Sequence, residues 1–283
     1  MPGVTSGELR YPFHIVGIGV VMVTGHGFRD HFSHDPSRYS RFRPGYPARL
    51  FRFLSGLCSG HERAWDCATG NGQAALAMAK FFTRVVATDG SEAQIAHAFR
   101  HPSIAYRVAR AESAPIADRT IDLVTVAQAA HWFDQDAFHA EVRRVACDGA
   151  VLALWGYGLA TISPRVDAVV GHFYRDIVGP FWPPERRYLD SGYQSLSFPF
   201  SEVETPSLHM RQEWTLDRLL GYLSTWSAVH GYREEIGADP LARVAKDLRD
   251  AWGDAEIARP VAWPLFLRVG RIQSETSTRG GRF

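Results

Sequence analysis

From about residue 47 to residue 157, short apolar runs of β-forming residues alternate with stretches of helical period. The runs at 64–68, 84–89, 104–108, 121–127 and 150–157 are almost continuously apolar, the pattern of strands buried on both faces. Between them, 73–81, 91–99 and 134–145 carry helical spacing. Ser91 with Gln94 has the spacing of a capping box, and Asp134 stands where the third helix needs an N-cap. Strand and helix in strict alternation predict an α/β fold, a parallel sheet covered by helices. After residue 157 the rhythm changes. A helical pattern over 164–177 runs into Pro180-Phe181-Trp182-Pro183-Pro184, which cannot continue a helix. Further helices are predicted at 216–224, capped by Thr215, and at 240–252, followed by a last strand near 265–269. From about residue 274 the chain is polar and glycine-rich, and is expected to fray.

With 283 residues and 46% hydrophobic content, the chain can bury a sizeable core. Its 31 Lys and Arg against 30 Asp and Glu supply no electrostatic footprint for nucleic acid or for an anionic membrane surface, so neither is an expected partner. Cys58, Cys67 and Cys147 are scattered and odd in number, which suits a reducing cytoplasm rather than a disulfide framework. The apolar run 15–23 is too short to span a bilayer, and only Arg10 precedes it where a signal peptide would carry a basic region. Residues 1–27 therefore read as an N-terminal extension, disordered or added by an early start, with Met22 as an alternative beginning. His31 and His34 have no cysteine or carboxylate cluster at ligand spacing around them, so no metal is expected.

Candidate chemistry begins at Asp66-Cys67-Ala68-Thr69-Gly70-Asn71-Gly72, between the first predicted strand and a helix. Glycines there let backbone approach a ligand closely, and the helix N-terminus offers free N–H groups. Asp89 closes the second strand, where a carboxylate can accept hydrogen bonds from both hydroxyls of a ribose. Together these features predict a nucleoside-cofactor site. Gly70-x-Gly72-x-x-Ala75, with Asp89 about 20 residues on, also fits the NAD fingerprint. Asp66 would repel a pyrophosphate but can orient the loop and help receive the amino group of an amino-acid cofactor. No second mononucleotide-binding half follows, which favours S-adenosylmethionine (SAM) over NAD.

The loop, Asp89 and above all Ala127-Gln128-Ala129-Ala130-His131-Trp132-Phe133-Asp134 resemble class I SAM-dependent methyltransferases of the methyltransferase-11 type, particularly the trans-aconitate methyltransferase-like group. The resemblance extends to Tyr39-Ser40-Arg41-Phe42-Arg43-Pro44-Gly45-Tyr46-Pro47, to Tyr222-Leu223-Ser224-Thr225-Trp226-Ser227-Ala228, and to the segment from Trp263 to Gly270. It implies a Rossmann-like seven-stranded sheet with its last strand antiparallel, helices on both faces and a helical cap. The implied organisation is a methyltransferase domain over 28–272, with cap elements from about 28–58 and 159–260, and a flexible tail at 273–283. The resemblance also implies that Asp66, Ala68, Gly70 and Gly72 line the methionine part of the cofactor. Asp89 and Gly90 would hold the ribose, Ala111 and Glu112 would meet the adenine, Gln128 would sit beneath the sulfonium, and Tyr39 and Arg43 would close over the carboxylate. Ala68 replaces the first glycine of the family's loop and must adopt a backbone conformation open to alanine. Arg110 stands where an aspartate often reads the adenine amine, and is expected to point to solvent.

Methyl transfer from SAM is an in-line displacement, so the protein has chiefly to place and desolvate the acceptor. The resemblance implies a small-molecule acceptor, a carboxylate oxygen of a trans-aconitate-like acid, which needs orientation rather than deprotonation. A hydroxyl or ring-carbon acceptor from secondary metabolism would instead need His131 as a base, and a SAM-binding regulatory module without turnover is the third reading. His131 is the candidate catalytic residue, as base or as donor to a carboxylate, with capping of the next helix as its structural alternative. Trp132 is expected to form an apolar wall. Tyr157, Trp182, Tyr188, Tyr193 and Trp226, with Arg186 and Arg187, suit a lid over an anionic acceptor, although core packing or surface exposure accounts for each singly. The expected assembly is a monomer or homodimer.

Overall fold

The computed structural model describes residues 44–273. The expectations for Tyr39, Arg43, the first 27 residues and the His31–His34 pair lie outside them. Helix α1 (Ala48–Leu57) leads into β1 (Arg63–Cys67), α2 (Gln73–Met78), β2 (Arg84–Asp89), α3 (Glu92–Ala96), β3 (Ile104–Val108), β4 (Ile121–Ala127), a 3-10 turn (Ala130–Trp132), α4 (Gln135–Val145) and β5 (Ala146–Tyr157). The second half holds α5 (Pro164–His172) with a π turn (Phe173–Ile177), α6 (Arg186–Asp190), β6 (Ser201–Glu202), β7 (Leu208–Trp214), α7 (Leu216–Leu223), α8 (Ser227–Ile236), α9 (Ala245–Trp252) and β8 (Arg259–Arg271).

The sheet runs β3-β2-β1-β4-β5-β8, and β6 and β7 both pair with the far edge of β8. Those two pieces act as one interrupted strand, so the sheet is seven strands wide, and β8 alone runs antiparallel to its neighbours. The strand order reverses between β1 and β4, the switch point whose carboxyl-end crevice takes the ligand in open α/β sheets. Alternate strand residues face opposite layers. Trp65, Val124, Val126, Leu152 and Leu154 pack against Phe138, Val142 and Val145 of α4, while Ala64, Leu123, Val151, Ala153 and Trp155 pack with Leu50 and Leu54 of α1 and Met78 of α2. A third apolar cluster, built from α5, α7, α8, α9, β7 and β8 around Trp214, Trp226 and Trp263, forms the cap's own core. Among the described residues no helix is long and apolar enough to cross a membrane.

Two of the predicted helix starts follow their local signals, although Ser91 supplies only half of the expected capping box, its own N–H going to Asp89. Ser91 Oγ accepts from Gln94 N–H, and Asp134 accepts from Ala137 N–H, each satisfying an otherwise orphaned donor. Thr215 does not cap α7 with its side chain as expected. The helix predicted over 164–177 widens into its π turn after His172, and the one over 240–252 is a 3-10 turn (Pro240–Arg243) and then α9. Strand β5 begins four residues before the predicted 150, because Cys147-Asp148-Gly149 forms an irregularity inside the strand, with Gly149 at φ 75°, rather than a turn before it. Strand β8 is longer than predicted despite Pro260 and Pro264. Ala262, which shares their side of the strand, donates its N–H to Thr161 and not to β7. The missing proline donors therefore fall on the side away from β7, where no ladder bond is lost.

Candidate cofactor and acceptor site

The turn after β1 carries three residues in the left-handed region: Ala68 at φ 53°, Gly70 at φ 55° and Gly72 at φ 87°. Asp66 grips it from below. Its carboxylate accepts from Thr69 Oγ1, from Ala75 N–H (3.0 Å) and from Thr125 Oγ1 (2.8 Å), binding the turn to the start of α2 and to β4. Burial pushes the Asp66 carboxyl up to about 6, and the hydrogen bonds from Thr69, Thr125 and Ala75 oppose that rise. Thr69 N–H donates to Thr88 O (2.9 Å), which ties the turn to β2 as well. Tyr106 of β3 lies directly under Gly72 and donates to Phe99 O (2.7 Å).

Ala68 does find an allowed conformation, but it is one that disfavours a side chain. Ala68→Gly should therefore stabilise the fold by about 1 kcal/mol, less the small apolar contact the methyl makes. A calorimetric melt should rise by roughly 2 °C; a lower melting temperature would mean the methyl's packing outweighs the backbone strain.

Asp89 sits 9% exposed at the end of β2. Gly70 N–H donates to its Oδ2 (2.8 Å) and Ser91 N–H to its Oδ1 (2.9 Å), so the glycine turn and the next helix entrance are both registered on this carboxylate. Gly90 lies between them, half-buried. Beyond β3, Ala111 is buried, and Glu112 joins the loop to α4 by accepting from Asp134 N–H (3.1 Å). Arg110 is largely exposed, as expected, but its Nε also pairs with Glu112 (3.2 Å). The loop is held from outside by Arg144, which donates to Ala114 O, Ile116 O, Glu141 and Asp118.

At the carboxyl end of β4, Gln128 takes φ 60°, a strained value for a non-glycine residue and one typical of functional turns. Its N–H donates to Trp155 O (2.8 Å) and its Nε2 to Tyr157 O (3.3 Å), so it bridges the ends of β4 and β5. His131 follows in the 3-10 turn, 7% exposed. Its Nδ1 lies 3.0 Å from Tyr193 Oη, and its ring rests against Trp132 at 4.6 Å between centroids. Burial, with a contribution from the nearby Arg186 charge, drops the imidazole to about 3, so His131 is neutral at pH 7.

The expected lid residues separate. Trp182 and Trp226 pack 5.6 Å apart, and the Arg186 guanidinium lies 4.5 Å above the Trp182 ring. Arg186 Nε donates to Tyr174 Oη (2.9 Å), which itself donates to Asp190 (2.7 Å). Helix α6, which carries Arg186, packs on the turn that holds His131. Arg187, the arginine expected to meet the acceptor, is exposed and stacks on its neighbour Tyr188. Consecutive helix residues point about 100° apart, so only one of the pair can face the site. Tyr157 and Trp226 belong to the cap core, and Tyr193 is fully buried as the partner of His131 rather than exposed in a lid. Tyr174 was not a candidate from the sequence. Its one distinguishing mark, a position in a π turn, exists only in the folded backbone.

Comparison with known proteins adds an independent view of this arrangement. The family description of a methyltransferase domain matches residues 65–154, from β1 through β5. A protein of Dictyostelium discoideum, provisionally named a methyltransferase, is 30% identical over 252 residues, covering 86% of this chain and 95% of that protein. A methyltransferase of Aspergillus candidus is 23% identical over 275 residues. The solved structure of a protein from Anaeromyxobacter dehalogenans, provisionally described as a type II methyltransferase, is 50% identical, with a TM-score of 0.77 over 82% of this chain and 99% of that one.

Proposed function

Because the chain belongs to the class I SAM-dependent methyltransferases, we propose that it methylates an oxygen of a small carboxylic acid of the trans-aconitate kind. SAM, when bound, supplies a methyl group activated on a sulfonium. The turn fits such a cofactor. Gly70 has no side chain to fill the space above the Asp89 carboxylate, and Asn71 Nδ2 is buried with no hydrogen-bond partner among the described residues. In this reading Gly70 and Gly72 offer backbone to the methionine part, with Asp66 holding their turn and Ala68 shaping it. Asp89 with Gly90 holds the ribose, Ala111 and Glu112 flank the adenine, and Gln128 lies on the methyl side. Tyr39 and Arg43 are proposed to meet the cofactor's carboxylate.

One observation supports a carboxylate acceptor above a hydroxyl: His131 is held near pKa 3 beside the cation of Arg186. So weak a base is poorly matched to removing a hydroxyl proton near neutral pH. A carboxylate needs no base, and it is the group an arginine fork orients well. Trp182 backs the guanidinium, and Tyr174 and Asp190 hold it from the other side. Trp132 supplies apolar surface beside His131.

Screening di- and tricarboxylates with methyl-labelled SAM tests this reading directly. Arg186→Met should raise the acceptor KM by about 10- to 100-fold, the equivalent of one charge-assisted hydrogen bond, and leave SAM affinity unchanged. The rate should stay flat from pH 5.5 to 8, since His131 remains neutral throughout. Methylation of hydroxyl compounds alone, with a rate that falls as an ordinary imidazole protonates, would reverse the assignment.

A further inference from the structure

We propose that Tyr193 sets the tautomer of His131, so that the imidazole presents an Nε2–H donor to the acceptor instead of a basic lone pair. The proposal rests on the acceptor site described above and adds a positioning residue to it.

Tyr193 is unusually constrained for a residue outside the cofactor turn. Both Gly192 (φ 61°) and Tyr193 (φ 62°) are left-handed, and an aromatic side chain adopts that backbone only where its surroundings over-determine it. Several contacts do so. Tyr193 N–H donates to Tyr188 O (2.8 Å), and its carbonyl accepts from Arg268 Nη1 (2.9 Å). Arg268 is itself buried, also holds Leu196 O (2.9 Å), and is paired with Glu202. Phe266 of β8 meets the ring edge-on at 5.1 Å. The strained turn and the buried Arg268 guanidinium together aim one atom, Oη, at the 3-10 turn after β4.

That oxygen meets two groups: Nδ1 of His131 at 3.0 Å and the backbone N–H of Ala130. Ala130 can only donate. If Nδ1 also carried a proton, the tyrosine would accept twice, and its own hydrogen would be left in a fully buried place with no acceptor among the described residues. If the tyrosine donates to Nδ1, every polar group of the trio is satisfied. Satisfied buried hydrogen bonds select the second arrangement. A neutral imidazole has one ring proton, which then sits on Nε2, the nitrogen with no protein partner among the described residues. His131 can thus donate to a carboxylate oxygen alongside Arg186 but cannot take a proton from the acceptor.

Long-range proton–nitrogen NMR on protein with labelled histidine and bound S-adenosylhomocysteine, without acceptor, reads the tautomer. The expected result is a pyridine-type Nδ1 and a pyrrole-type Nε2. In Tyr193→Phe the two nitrogen shifts should move toward each other. A protonated Nδ1 in the parent protein would overturn the proposal whatever the acceptor proves to be. A kinetic arm does not depend on Tyr193→Phe folding. Glutamine places its amide N–H near the position of Nε2–H, so His131→Gln should keep at least ten times the kcat of His131→Ala, with equal affinity for S-adenosylhomocysteine. Equal loss in both variants would also overturn it. Failure of every carboxylate as acceptor would sink the acceptor assignment alone, because the NMR arm needs none.

Discussion

Asp89→Ala is expected to weaken SAM and S-adenosylhomocysteine binding by at least two orders of magnitude in Kd, measured by titration calorimetry. The carboxylate would lose two charge-assisted hydrogen bonds to ribose hydroxyls, together roughly 3 kcal/mol or more. It would also strand the N–H groups of Gly70 and Ser91, which now donate to its two oxygens, so the glycine turn should lose its registration on β2. Asp89→Asn keeps one acceptor oxygen and should fall between the two. Tight SAM binding by Asp89→Ala would remove this residue from the cofactor site. Heat from NADH but none from S-adenosylhomocysteine in the parent protein would remove SAM altogether.

The second large effect is expected from Gly72→Ala, through two additive causes. At φ 87° an L-residue is strained by about 1–2 kcal/mol. The added methyl would also collide with Tyr106, whose ring cannot swing aside without breaking its hydrogen bond to Phe99 O. Overpacking of that kind costs a further 1–3 kcal/mol or so. Gly70→Ala is the natural control, because Gly70 has a similar backbone strain at φ 55° and only Gln94 Oε1 near its added methyl, at 3.9 Å. Chemical denaturation should therefore show Gly72→Ala losing clearly more stability than Gly70→Ala. Adding Tyr106→Ala should recover part of the difference. Equal losses at the two glycines would show that backbone strain alone governs the turn.

These two predictions start from residues whose roles are legible in the sequence, whereas Arg186 and Tyr193 stand there only among several lid candidates, with nothing to set their roles apart. The difference is physical. A strand buried on both faces must be apolar almost throughout, so the bounds of β2 and β4 are legible in the sequence to the residue, whereas β3 has the predicted bounds although it is an edge strand in which only Ile104 is buried. A tight turn into a helix needs glycines at fixed offsets, so the Asp66–Gly72 turn and the acid at Asp89 were legible for the same local reason. Strand β7 was missed although Leu208, Met210 and Trp214 face inward along it, because three buried residues among polar neighbours match many loops.

Local chain chemistry thus settled the parallel strands, the caps at Ser91 and Asp134 and the glycine turn after β1, since each depends on residues within about one element of each other. The long-range arrangement was decided by folding: which of Arg186 and Arg187 turns inward, which nitrogen of His131 is occupied, and how Arg268 of β8 steadies Tyr193. His131 and Tyr193 are 62 positions apart, and Arg268 and Tyr193 are 75. No periodicity in a chain encodes a meeting at such separation. It follows only when α6 packs on the turn after β4 and β8 enters the sheet beside β5, because burial then makes an unpaired polar atom costly and favours the arrangement that pairs most of them.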